Sequence, residues 1–247
     1  AIILISNFII VPAITYGSQL ALGAIGVTLI YGVLRFANFA YGDLMAFGTM
    51  VVILTTWYLQ SIGISFGLLP TALLALPIGI LFTIGVSLFF DKTVFEYYRN
   101  KKANSVTFIV VSLGLMFVLN AIVRIIIGPG DVNFMDGHKF IMKAREFKNL
   151  TGLNEGLAIK STQVITLITT VITCSLLFYF LNKTKTGKSM RAYSDNEDLA
   201  LLSGIDPKKI ILITWVIVSI LATVGGTLYG LDKSFKPFTY FNNLLPI

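Results

Sequence analysis

From Ala1 to Leu34 the chain carries no charged residue, and from Leu44 to Phe90 it carries none again. A helix needs ~20 consecutive, mostly apolar residues to cross the hydrocarbon core of a bilayer. The second stretch is long enough for two such helices, with a break at Gly63-Ile64-Ser65-Phe66-Gly67. Carried to the end of the chain, the same reading predicts spans at roughly 8–34, 44–62, 68–90, 105–127, 163–182 and 209–231. Between them lie four polar segments: 35–43, 91–104, 128–162 and 183–209.

Composition agrees. The 247 residues are 55% hydrophobic and 13% charged, with a mean hydropathy of +0.83, where soluble domains run near ~25% charged. The fold class is therefore an all-α polytopic integral membrane protein, one transmembrane domain over 1–247, with the lipid bilayer as its first partner. A net charge of +7 can mean nucleic acid, but in a membrane protein basic loops held on the cytoplasmic side account for it, and no nucleic-acid partner is expected. Cys174 and His138, each the sole residue of its kind, leave no pair for a disulfide and no cluster for a metal. No cofactor is expected. The first apolar run has no basic region ahead of it and does not read as a signal peptide. Ala1 in place of Met, and the stop at Ile247, read as trimmed ends.

Orientation follows from Lys and Arg. Segment 91–104 holds Lys92, Arg99, Lys101 and Lys102, and 183–209 holds Lys183, Lys185, Lys188, Arg191, Lys208 and Lys209. Segment 128–162 is longer and less densely basic. The first two go inside and 128–162 goes to the periplasm. Segment 35–43 then falls inside or at its membrane border. Apart from Lys209 at the very start of the last, Arg124 is the one charge within a predicted span, close enough to its end for the guanidinium to reach the interface.

Segment 183–209 contains Thr186-Gly187-Lys188-Ser189, the tail of a nucleotide-binding P-loop. The full motif needs a first glycine five residues before the second, after a buried strand. Asn182 stands at that position, and a membrane-length apolar run precedes it. The P-loop reading fails on both counts. Helix punctuation fits better. Thr186 can cap a turn starting at Gly187, Ser194 and Glu197 have capping-box spacing, Gly204 suits a C-cap, and Asp206-Pro207 launches the last span. The apolar residues Met190, Leu199, Leu201, Leu202 and Ile205 then need either a partner surface or the protein's own inner face.

The run Thr186-Gly187-Lys188-Ser189-Met190-Arg191-Ala192, followed by Ala200 and Ser203-Gly204-Ile205-Asp206, resembles the cytoplasmic loop of LivH-like permeases. These are membrane subunits of ABC importers for branched-chain amino acids and their urea or amide relatives. Gly26-Val27-Thr28-Leu29-Ile30-Tyr31-Gly32-Val33-Leu34-Arg35 and Asn38-Phe39-Ala40-Tyr41-Gly42-Asp43 resemble that family's first-span motif, with Tyr41 where most members have histidine. Ser219 to Gly230 is similar to its small-residue helix. The resemblance implies a permease subunit in the bacterial inner membrane, not itself an enzyme. Its partners would be ABC ATPase subunits, a second permease chain, related or identical, and a periplasmic substrate-binding protein. Family members continue through a glycine-rich segment and about two more spans.

The same resemblance makes 183–209 the ATPase-coupling loop, with Gly187, Arg191, Ala200, Gly204 and Ile205 as its site residues. Arg35 to Asp43 is the other informative stretch. Asn38 and Gly42 weaken a continuous helix, and broken helices at membrane depth line substrate paths. Tyr31, Asn38, Tyr41 and Asp43 are candidates for the path or inner gate, against a plain turn between two spans. Within the resemblance a permease for urea or short amides stays open as the alternative, and from the residues a channel or secondary transporter.

Overall fold

The computed structural model describes residues 5–67, 69–134, 140–142, 149, 158–237 and 240. Among them are six helices long and apolar enough to cross a membrane: Ser6–Leu34, Tyr41–Ser61, Ala72–Asn100, Ser105–Ile127, Ser161–Lys183 and Pro207–Asp232. The six predicted spans are all present.

Regular α-helix begins with α1 (Val11–Leu34), entered through a π-helical turn at Ser6–Ile10. Helix α2 is Tyr41–Ser61 and α3 is Ala72–Phe90. Rather than stopping there, α3 runs through a π-helical turn at Asp91–Phe95 into α4 (Glu96–Asn100). Most of the predicted loop 91–104 is thus helical. Hydropathy marks where hydrocarbon ends, and charges such as Asp91, Lys92 and Glu96 are no obstacle to helix beyond that point. Asn104 then caps α5 (Ser105–Ile127), its side chain accepting from the backbone N–H of Val106 and Thr107. After α6 (Ser161–Lys183) come two short helices, α7 (Lys185–Asp195) and α8 (Glu197–Leu202), and then α9 (Pro207–Asp232). Asp206 caps α9 with Pro207 behind it, as the sequence predicts.

The long helices have two kinds of surface. Helices α2 and α9 are buried along most of their length and pack on each other, on α3 and, for α9, on α1. Helices α3, α5 and α6 turn Leu81, Phe82, Phe117 and Phe178 outward, as lipid-facing helices do. The inner pair can approach because its contact residues are small. A Cβ on Gly226 would stand 2.8 Å from the Met45 carbonyl oxygen, so α2 and α9 meet backbone to backbone there. The Gly226/Gly230 pair is consequently used inside the chain. Hydroxyls tie α3 to α9: Ser87 Oγ and Ser219 Oγ are 2.7 Å apart, and Thr223 Oγ1 donates to Thr83 Oγ1 at 3.0 Å.

The two ends of the bundle differ. At one, α1 begins, α9 ends, and Val132 and Phe235 form a short antiparallel bridge. A two-stranded ladder, β1 (Phe140–Met142) and β2 (Ile159–Lys160), belongs to the segment 128–162. The rest of that segment's centre, His138 included, lies outside the described residues. At the other end α1 stops beside α7, and α4 and α7 to α9 come together. That end carries the Lys and Arg of 91–104 and 183–209 and is called the basic end below.

Candidate functional site

The basic end is built by a sharp turn. Thr184 leaves α6 in extended conformation, and its Oγ1 donates to the Phe180 carbonyl (2.7 Å) while accepting from Gly187 N–H (3.0 Å). The cap is therefore Thr184 and not the predicted Thr186. Gly187 is buried where α6 and α7 touch. A Cβ on it would lie 2.6 Å from Leu181 Cα and closer still to the Phe180 carbonyl oxygen. Both obstacles are backbone, which cannot move aside, so the turn needs glycine.

Asn196 separates α7 from α8 and caps the latter, its Oδ1 accepting from Leu199 N–H at 3.0 Å. The predicted Ser194/Glu197 capping box does not form, because both side chains have other partners. Ser194 Oγ donates to the Gly32 carbonyl at 3.0 Å, and Glu197 accepts from Tyr193 Oη at 2.7 Å. At the far end Gly204 has φ +79°. Gly204 N–H donates to the Leu201 carbonyl (3.0 Å) and Ile205 N–H to the Ala200 carbonyl (3.1 Å), the pair of bonds of a Schellman motif. This C-cap is the predicted one.

Two roles separate along this loop. Met190, Ala200 and Tyr193 are buried against Val33 and Ile210, with Ile205 packed beside them, so these fold back onto the protein. Leu199, Leu201 and Leu202 do not. Leu199 is 61% and Leu202 85% exposed, and Arg191 and Gly204 are exposed as well. Of the sequence candidates, Gly187, Ala200 and Ile205 shape the loop while Arg191 and Gly204 are on its surface. Burial, with the hydrogen bond and charge of Glu197 in support, raises the Tyr193 hydroxyl well above its usual range against the opposing charges of Arg99 and Arg35.

The second place is the break between α1 and α2. Arg35 ends α1 in left-handed conformation (φ 61°) and its guanidinium donates to the Ser194 carbonyl. The chain then turns back into the bundle without helix until Tyr41. Phe36 packs on Phe108 at 5.0 Å and Phe95 at 5.3 Å. Phe39 N–H donates to Ser112 Oγ (3.2 Å), and Asn38 Oδ1 accepts from Ala40 N–H (3.0 Å). Tyr41 is buried against Gly26, where its ring leaves no space for a Cβ, and its hydroxyl has no hydrogen-bond partner among the described residues.

Asp43 is 1% exposed and accepts from Asn120 Nδ2 at 2.7 Å, with the Arg124 charge one turn further on acting on the same carboxylate. Ser112 stands roughly 10 Å along α5 from its start at the basic end, and Asn120 about 22 Å. Asp43 is thus well inside the bundle, as the path reading allows, and not at the membrane border. Only Arg35 keeps that place. Backbone outside a helix at such depth survives when protein surrounds it, and here α5 and the aromatic residues do so. Asn38, Tyr41 and Asp43 share this buried segment. Tyr31 does not: it is 60% exposed on the outer surface of α1. A cavity of about 10 Å³ beside Asn38, Leu44, Ser87 and Trp215 has room for about one water, so the segment is closed in this conformation.

Three residues that sequence reasoning passed over join these places. Arg99 grips Asp91 with both nitrogens (2.7 and 2.9 Å), and Trp215 Nε1 donates to the same Asp91 Oδ1 at 2.8 Å. The available signal was Asp91 itself, the first charge after the long apolar run. Asp91 and Arg99 line a cleft of about 540 Å³ at the basic end, together with Glu96, Tyr193, Glu197 and Lys208.

The sequence of this bundle, from residue 9 to residue 246, matches a family described as "Branched-chain amino acid transport system / permease component". The chain belongs to this permease family. Among its relatives is the high-affinity branched-chain amino acid transport system permease protein LivH of Escherichia coli K12, 28% identical over 221 residues, covering 88% of this chain and 68% of the relative. A probable branched-chain amino acid transport permease protein LivH of Methanocaldococcus jannaschii is 30% identical over 241 residues, or 94% and 69%. The permease protein BraD of Pseudomonas aeruginosa is 25% identical over 234 residues, or 90% and 70%. No solved structure matches the chain at a significant level. A permease of this family needs a helical bundle and a surface for its partners, and both places described above are candidates for that work.

Proposed function

We propose that this chain is a permease subunit of an ABC importer that moves branched-chain amino acids across the bacterial inner membrane, with ATP hydrolysed by separate subunits. The basic end faces the cytoplasm, in line with its Lys and Arg. The observation that carries the reading is the coupling loop. Three capped turns hold α7 and α8 against the bundle, and among their exposed residues are Leu199, Leu201 and Leu202, with Arg191 on α7 and the acids Asp195, Glu197 and Asp198 between. The leucines suit a groove with an apolar floor and the Arg191 guanidinium an acid on the partner, and the occupant fitting this chemistry is an ABC ATPase subunit. Gly187, Ala200, Gly204 and Ile205 serve by shaping that surface.

The buried segment carrying Asn38, Tyr41 and Asp43 belongs to the inner gate or path. Tyr31, facing outward, is left out. A second permease chain and a periplasmic substrate-binding protein complete the importer.

Purification of the full protein in mild detergent from its own host tests the assembly. An ABC ATPase recovered with the wild type, and lost from Gly204→Arg/Arg191→Glu, is the expected result. A folded wild type without any ATPase would sink the importer reading. Uptake of a branched-chain amino acid by Asp43→Asn and Asn38→Ala tests the gate, and normal uptake at normal expression would remove those residues from it.

A further inference from the structure

The coupling loop packs on α1 and α9 through Met190, Tyr193 and Ala200, and two arginines stand beside it. Arg35, at the head of the broken segment, donates to the carbonyl of Ser194, while Ser194 Oγ donates to Gly32. Arg99 and Tyr193 line the same cleft, and the charges of both arginines act on that tyrosine. Tyr193 and Ser194 are adjacent residues at the end of α7, so one short piece of the loop is connected to both.

Arg99 does not spend its guanidinium on a helix neighbour. Partners on one helix stand three or four residues apart, whereas Asp91 is eight residues back, about 12 Å of helical rise. The Arg99 side chain stretches along the wall of the cleft to make a bidentate pair there. Asp91 also receives the indole N–H of Trp215 on α9. The carboxylate thus joins three elements, α3, α4 and α9, with all its bonds charge-assisted.

Trp215 in turn backs the aromatic layer. Its ring stacks on Phe95 at 5.5 Å, Phe95 packs on Phe36 at 5.3 Å, and Phe36 on Phe108 at 5.0 Å. This layer stands between the cleft, lined by Asp91, and the small cavity lined by Asn38 and Trp215. Both routes from the loop therefore end on consecutive residues: Arg35 by way of Ser194, and Phe36 by way of Arg99, Asp91, Trp215 and Phe95.

We infer that Asp91, held between Arg99 and Trp215, is a positioning residue through which the coupling loop controls the buried segment 35–43. The inference rests on the importer reading above. Movement of α7 and α8 pulls Arg35 directly and shifts Arg99, and the Asp91 pairing converts the second movement into a displacement of Trp215 and the aromatic layer. Without the carboxylate, the loop still docks and responds to the ATPase, but the layer no longer follows.

The test uses the complete complex of both permease chains, ATPase and binding protein, reconstituted in lipid vesicles. ATP hydrolysis and uptake of a branched-chain amino acid are measured together for wild type, Asp91→Asn, Asp91→Glu and Trp215→Phe. Asp91→Asn keeps the volume and removes the charge, and Trp215→Phe keeps a ring and removes the N–H. Both should retain hydrolysis while uptake per ATP falls by roughly tenfold, and Asp91→Glu should recover part of the loss. If hydrolysis and uptake fall in parallel, Asp91 only supports the fold and the inference is wrong. Unchanged uptake per ATP in both variants overturns it as well. Should Asp91→Asn fail to assemble, Trp215→Phe decides alone. A wild-type complex that hydrolyses ATP but takes up no amino acid would instead overturn the importer reading, and the relay with it.

Discussion

Asn120 Nδ2 donates to Asp43 Oδ1 at 2.7 Å, fastening the first turn of α2 to α5 about two thirds of the way along that helix from the basic end. A carboxylate at that depth is tolerable only with its partners in place. Taking the amide away while leaving the acid costs about 1–3 kcal/mol, whereas removing both leaves neither end of this hydrogen bond orphaned. Thermal unfolding in detergent should therefore rank Asn120→Leu below the double variant Asp43→Leu/Asn120→Leu. The reverse order would show that the pair is not a coupled unit.

Gly187→Ala places a methyl group against the backbone of Phe180 and Leu181. Overpacking of this kind costs about 1–3 kcal/mol, and α7 must tilt to relieve it. The expected outcome is a lower unfolding temperature and weaker retention of the ATPase. Gly85→Ala, which meets nothing within 4 Å, serves as the control and should match wild type in both.

At Gly204 the strain is torsional, since its φ of +79° has open space around it. Gly204→Ala should cost about 1–2 kcal/mol and Gly204→Asn less, because asparagine tolerates the left-handed region. Amide exchange at Ile205, whose N–H closes the Schellman pair, reads the loosening directly. Equal exchange in all three proteins would mean that the cap does not hold the loop.

Leu199 and Leu202 are exposed, so Leu199→Ser/Leu202→Ser should leave the unfolding temperature unchanged while ATPase recovery falls. A drop in stability as large as the drop in recovery would move these leucines from the docking surface to the fold.

Tyr193 gives a pH prediction. Its hydroxyl titrates higher in the folded protein than in the unfolded chain, chiefly through burial. Its contribution to stability is then fully present below the ordinary tyrosine value of about 10 and is lost as pH rises beyond it. The stability difference between wild type and Tyr193→Phe should be constant at neutral and mildly alkaline pH and shrink above about 10. A difference that varies between pH 6 and 8 would rule out this cause.

The spans were legible because hydrocarbon imposes a length on any helix that crosses it, and that length is written in consecutive apolar residues. Asp206-Pro207 and Gly204 were legible for a related reason: a cap depends on a few neighbouring residues. The cap of α7 was misread by two positions. Where the chain leaves α6 is decided by the contact of Gly187 with the backbone of Phe180 and Leu181, and no local pattern carries it. In residues 35–43, Asn38 and Gly42 showed that the helix could break, but not that the chain turns back into the bundle rather than making a plain turn, since Ser112, Asn120 and Phe108 on α5 hold it there. Asp91 and Trp215 lie 124 residues apart and become neighbours only when α3 and α9 pack. Local sequence sets the length and ends of helices because backbone hydrogen bonds and solvent act over a few residues. The depth of Asp43, the outward turn of Tyr31 and the Asp91 junction had to wait for the packed bundle, where distant side chains supply the partners that water would otherwise give.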